Sequence, residues 1–182
     1  MLKEYGQAGL QRFSLTLSTC MLTKTILIGL GNPILGDDGV GWKVVEYIQQ
    51  HCSLPASVDI DCLALGGISL MERMIGYDRA VLVDAIVTRQ RPTGSILYLD
   101  IDDLPNQAGG HLTSAHDTSL QVALRLGRSM EIKLPKRITI VAVESQNVYE
   151  FSEELTLPVK TAVPEAAKIV LKILAESLSV SQ

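Results

Sequence analysis

At 182 residues the chain is long enough to bury a sizeable core as one domain. Its formal net charge of −4 excludes the basic face of a nucleic-acid binder. Although 47% of the residues are hydrophobic, none of the runs approaches the about 18 apolar residues of a membrane span. Cys20, Cys52 and Cys62 form an odd count without Cys-x-x-Cys spacing. Free thiols, a reducing compartment and hence a cytoplasmic location are expected. The basic pairs Arg89/Arg91 and Lys136/Arg137 read as solvated turn charges.

Residues 1–22 read as an N-terminal extension, poorly packed and dispensable, or as a start assigned too early. Residues 17–20, Leu-Ser-Thr-Cys, imitate a lipoprotein cleavage site, but Thr19 is too large and "FSLTLST" is not continuously apolar. From residue 23 to 182 a single domain is expected. "KTILIGL" is a continuous apolar run, the mark of a strand buried on both faces. After a glycine-rich turn, Val40, Val44, Val45 and Ile48 make a helical stripe with Lys43, Glu46 and Gln49 off it. "VDIDCLAL" alternates as a second strand and ends at Gly66-Gly67; "SLMERMI" is a short helix; "RAVLVDAIV" is a third strand.

"TRQRPTG" is too short for a crossover helix, so "SILYLDI" is predicted to pair antiparallel to its predecessor. A loop over 102–116, a helix over 119–128 and the strand "RITIVAVE" follow. A second loop over 145–157 leads to a terminal helix over 161–177, with Pro164 in its first turn. The alternation predicts a single three-layer α/β/α domain around a mostly parallel twisted sheet of about five strands, one of them antiparallel. No helix shows a spare apolar face, so a monomer is expected.

In such sheets ligands bind beyond the carboxyl ends of the strands. There the chain delivers Asn32 and Asp37-Asp38, then Gly66-Gly67, then Asp84, then a loop with His111 and His116. A dinucleotide fingerprint fails, because Gly29 and Gly31 are followed by Ile34 where a third glycine is needed. Two carboxylates at the helix entry would also repel a pyrophosphate. Peptidyl-tRNA hydrolases share "GLGNP", but their catalytic histidine segment is absent here and the acidic balance does not suit tRNA. Two carboxylates with an imidazole instead suit a borderline divalent cation such as zinc or nickel, with coordination positions left open.

Plainer roles compete for each residue. Either aspartate can cap the following helix, and Asp37 is the one expected to do so. Asp84 can be a polar group at a strand end. His116 can belong to a capping box with Ser114 and Asp117. His51, at a helix end, suits the macrodipole, and His111 is a weaker ligand candidate than His116.

"ILIGLGNPILGDDGVG", "AVLVDAIVTRQRPTGSI" and "TSAHDTSL" together resemble the [NiFe]-hydrogenase maturation endopeptidases, in order from Lys24 to about Leu174. The resemblance implies an enzyme that removes the C-terminal extension of the nickel-loaded hydrogenase large-subunit precursor. It implies Asp38, Asp84 and His116 as metal ligands and catalytic residues, with nickel carried in by the precursor and other divalent metals able to substitute in vitro. Asp37 would stand behind the ligands or accept a proton, and Asn32, Gly66 and Gly67 would contact substrate. Some members carry Glu at the position of Asp38. The chain departs from the family at Leu65, where an acid is frequent, at Ile68, where many have Thr, at Ser145, where proline is common, and over 154–159. A maturation factor that binds nickel and precursor without hydrolysis is the alternative.

Overall fold

The computed structural model describes residues 23–101 and 115–176, with side chains for all of these except residues 115–119. The expected extension at 1–22, His111 and Ser114 lie outside the described residues. In chain order the elements are β1 (Thr25–Leu30), a 3₁₀ turn (Gly36–Gly39), α1 (Val40–His51), β2 (Val58–Leu63), α2 (Gly67–Arg73) and β3 (Arg79–Ile86). β4 (Ile96–Asp100), α3 (Ala115–Ser129), β5 (Arg137–Glu144) and α4 (Leu157–Glu176) follow.

The strand order is β2-β1-β3-β5-β4, parallel throughout except where β4 meets β5. β1 is buried at every residue, as its unbroken apolar run requires, whereas edge strand β2 is half-buried throughout and alternates Asp59 and Asp61 with Ile60 and Cys62. Side-chain alternation splits the core in two. Leu27, Val81, Val83 and Val141 pack beneath α1 and α4. Ile28, Leu30, Leu82 and Ala142 pack beneath α2 and α3. This is the three-layer arrangement the alternation of elements predicts.

α1 owes its position to two glycines. A Cβ on Gly41 would lie 2.3 Å from the carbonyl oxygens of both Leu30 and Val83, and one on Gly29 would lie 2.5 Å from the Gly41 carbonyl. The helix backbone therefore rests directly on β1 and β3. Gly41 does the close-packing work of the glycine that the dinucleotide fingerprint lacks at Ile34.

Three expectations need correction. β4 does not pair with β3, because β3 is occupied on both sides, by β1 and by β5 from Arg79↔Arg137 to Ile86↔Glu144. β4 takes the outer edge of β5 instead, from Ile96↔Val143 to Asp100↔Thr139. Second, α4 begins at Leu157, so Pro164 lies well inside it rather than in its first turn. The first-turn proline is Pro158, whose missing N–H costs no hydrogen bond there; the helix ladder is already running at Lys160, whose N–H donates to the Thr156 carbonyl at 2.9 Å. α3 likewise starts at Ala115, ahead of the predicted residue 119. Third, α3 does carry spare apolar residues: Val122 and Leu126, spaced by four, are exposed, as is Met130 just beyond its end. The premise for expecting a monomer is thereby removed.

The thiols of Cys52 and Cys62 are free and pack against the core, as expected. Burial, helped by Glu46 and Asp61, pushes the Cys62 thiol up to about 11. The basic pairs Arg89/Arg91 and Lys136/Arg137 are exposed, also as expected.

Gly41→Ala drives a methyl into two carbonyl oxygens and is expected to cost about 3 kcal/mol, at the upper end of overpacking effects. Urea denaturation followed by circular dichroism measures it; an unchanged midpoint would show that α1 can slide off the sheet freely.

Candidate functional site

The turn after β1 is built to reverse the chain tightly. Gly31 adopts φ +111°, and a Cβ there would lie 1.8 Å from the Asp38 carbonyl oxygen. Its N–H donates to the Leu63 carbonyl at 3.1 Å. The Asn32 side-chain oxygen accepts from the Ile34 N–H at 3.2 Å, and the Asn32 carbonyl accepts from the Leu35 N–H at 3.0 Å. Asp38 closes the turn: its carboxylate accepts the Asn32 N–H at 2.6 Å while remaining partly exposed.

The two adjacent aspartates separate because successive residues of a 3₁₀ turn point about 120° apart. Asp38 faces the rim; Asp37 is fully buried. The Asp37 carboxylate accepts four hydrogen bonds from the segment after β5: Thr156 N–H at 2.7 Å, Thr156 Oγ1 at 3.0 Å, Asn147 N–H at 3.3 Å and Gln146 N–H at 3.4 Å. Its own N–H donates to the Asn147 carbonyl at 2.9 Å. Neither aspartate caps the 3₁₀ turn or α1 with its side chain, so the expected capping role of Asp37 is replaced by this long-range clasp.

Asp84 lies within β3, which runs on to Ile86, and is 2% exposed. It is therefore not a solvated strand end. It pairs in register with Ala142, and its neighbours Gly29↔Val83 set it beside Leu30 of β1. Its side chain shares the sheet face of Leu82 and Ile86, the face beneath α2 and α3. One carboxylate oxygen accepts the Ala85 N–H at 2.8 Å. The 3₁₀ turn bearing Asp38 touches β3 as well, so both acids stand at the carboxyl ends of two adjacent strands.

His116 is the second residue of α3, one turn before Leu120. Leu120 is fully buried in the cluster that contains Leu30, Leu82 and Ala142. Helical periodicity places backbone position 116 on that same side of the helix, toward the sheet that holds Asp84. The His116 side chain lies outside the described ones, and among the described residues no three His, Cys, Asp or Glu side chains form a metal cluster.

Gly66 and Gly67 form the turn between β2 and α2; Gly67 opens the helix at φ +57°, and the Gly66 carbonyl accepts the Leu70 N–H at 3.4 Å. On either side Leu65 and Ile68 are exposed. His51, by contrast, ends α1, with Nδ1 2.8 Å from the Tyr47 carbonyl and its ring stacked on Tyr47 at 4.1 Å. The residues that sequence reasoning missed are Thr156 and Glu144. Glu144 is buried, and its carboxylate accepts from Thr88 N–H at 2.9 Å, Thr88 Oγ1 at 2.6 Å and Arg89 N–H at 2.9 Å. It thereby holds the β3–β4 connection, including Arg89 at φ +57°. The only available signal was an acid at the end of an otherwise apolar strand.

This arrangement of sheet and helices is shared with known endopeptidases. The hydrogenase maturating endopeptidase HybD from E. coli has the same fold, with a TM-score of 0.72 and 29% identity over 85% of this chain and 93% of that one. The family model for hydrogenase maturation proteases matches residues 42–173, and the chain belongs to that family. The Hydrogenase 2 maturation protease of Escherichia coli (strain K12) is 29% identical over 154 residues, 85% of this chain and 92% of that one. The hydrogenase expression/formation protein HupD of Thiocapsa roseopersicina is 28% identical over 151 residues, 83% of this chain and 67% of its own length. The protein is thus a hydrolase, and the non-catalytic alternative gives way. The matched family stretch contains Asp84 and His116 and begins after Asp38.

Asp37→Ala leaves the donors of residues 146, 147 and 156 without their acceptor and removes a fully buried carboxylate, at an expected cost of about 3 kcal/mol. Hydrogen exchange should quicken selectively at the amides of Asn147 and Thr156. Uniform protection in the variant would mean that the clasp does not hold this segment.

Proposed function

We propose that the protein cleaves the C-terminal extension from the nickel-loaded precursor of a [NiFe]-hydrogenase large subunit, reading the nickel with Asp38, Asp84 and His116. The observation that carries this reading is the division of labour between the paired aspartates. Asp37 is consumed by the clasp, which leaves Asp38 alone turned to the rim, at the end of the strand next to the one holding Asp84. Leu120, one turn beyond position 116 in α3, is buried on the same sheet face as Asp84, which supports a role for His116 there.

Two carboxylates and an imidazole supply oxygen and nitrogen donors and two negative charges, a set suited to a borderline divalent ion. Three protein donors leave open positions, so the metal can keep bonds to the precursor that carries it. Bound there, nickel would polarise the scissile carbonyl or supply a hydroxide. Asp38 is oriented for this by the Asn32 N–H, which holds one carboxylate oxygen and leaves the other available. Asn32, Gly66 and Gly67 line the ends of the two strands next to the acids, where a substrate backbone would pass.

On this reading Asp38→Ala, Asp84→Ala and His116→Ala each reduce processing beyond the about 10–100-fold typical of residues that only support a ligand. Asp38→Glu, which keeps the carboxylate, retains measurable cleavage. Purified protein incubated with nickel-loaded and nickel-free precursor, followed by gel electrophoresis of the large subunit, should show cleavage of the loaded form only. Equal cleavage of both forms would rule out nickel as the recognition element.

A further inference from the structure

The rim carries a feature that the proposed ligands do not use. After β5, Val148 is buried in the core, and the next residues turn outward. Tyr149 and Phe151 are each 86% exposed, more than any other large apolar residue described. Ile34 and Leu157, in the adjoining segments, are exposed as well. Single exposed apolar residues are ordinary, but a cluster that includes two aromatics marks a contact surface.

The cluster sits on a stiff support. The Ser152 N–H donates to the Ile34 carbonyl at 3.1 Å, and the Gly36 N–H donates to the Ser152 carbonyl at 2.7 Å. Leu35 and Ser152 form a parallel β-bridge. Gly36, at φ +55°, lets the Asn147 carbonyl approach to 2.7 Å from where a Cβ would sit. The backbone under Tyr149 and Phe151 is thus bonded to the same turn that carries Asp38. Ile34 and Asp38 are only four positions apart, at most about 15 Å of chain.

Charge adds direction. Glu150 and Glu153 are exposed and have no ion-pair partner among the described residues, whereas Glu154 is paired with Lys160 at 3.3 Å. We propose that this ledge is a substrate-gripping surface. It holds an extended segment of the precursor beside the bond to be cut, with apolar side chains on Tyr149, Phe151 and Ile34 and a Lys or Arg against Glu150 and Glu153. The proposal rests on the precursor-cleaving reading above, and the ledge's continuity with the Asp38 turn selects the substrate over a partner bound elsewhere.

The test uses the full chain and nickel-loaded precursor. Tyr149→Ser with Phe151→Ser should raise KM by about tenfold or more, the size of a truncated interface anchor, with kcat within about twofold because no ligand is touched. The urea midpoint should stay at the wild-type value, since both side chains are exposed. Glu150→Lys with Glu153→Lys should also raise KM and reverse its salt dependence. An unchanged KM in both double variants, or a lowered kcat at unchanged KM, would overturn the ledge while leaving the cleavage reading intact. If the wild-type protein fails to cleave, the cleavage reading falls, and the ledge is judged by titrating the same precursor. Ten-fold weaker binding by the aromatic variant supports it, and equal binding overturns it. Sedimentation showing that the aromatic variant loses self-association at unchanged precursor affinity would assign the surface to a second copy of the chain and overturn the proposal.

Discussion

A buried carboxylate organises this molecule. Asp37 has no contact with solvent, and a charge in that position is tolerable only because the surrounding donors replace its water. Those donors come from residues 146, 147 and 156, more than a hundred positions later in the chain. The interaction therefore joins the turn after the first strand to the loop after the last one. It also decides which of two neighbouring aspartates is presented at the rim: with one turned inward by four hydrogen bonds, the geometry of a 3₁₀ turn sends the other outward.

The acids stand between apolar walls. Leu65 and Ile68 flank the Gly66-Gly67 turn beyond β2, and Tyr149 and Phe151 stand beyond β5. A polypeptide lying across such a rim excludes water from both sides, which lowers the local dielectric and strengthens any interaction between the carboxylates and a cation brought in with it. Leu65 and Ile68 make one of these walls apolar.

What the sequence made legible is whatever local periodicity controls. The unbroken run of β1 and the stripe of α1 each have a direct burial consequence, and both match; the alternation of β2 marks a strand, but at the sheet edge all its residues are half-buried. Asp84 and Asp38 could be located because apolar runs end near them. Asp37 was misread because capping is a short-range signal, whereas its partners are set by tertiary structure. The start of α4 was missed because Pro164 reads as the first-turn proline, whereas Pro158 holds that place. β4 was assigned to β3 because a short connection normally makes a hairpin, and nothing local announces that β5 will enter between them. His116 is singled out in the sequence by resemblance, and it is the second residue of α3.

The insertion of β5 has a consequence for how the chain is assembled. β4 is made some forty residues before β5, yet among the described residues β5 is its only partner in the sheet. During synthesis the segment Ile96–Asp100 must stay unpaired until Arg137–Glu144 emerges and docks on β3. Every β4 contact in the sheet is therefore long-range, and pairings of that kind form late because loop-closure entropy must be met first. The last residue of β5, Glu144, then fastens the crossing connection through Thr88 and Arg89. Edge strand β4 is thus the last piece of the sheet to find its place, and its nascent form is the one a chaperone would have most reason to shield.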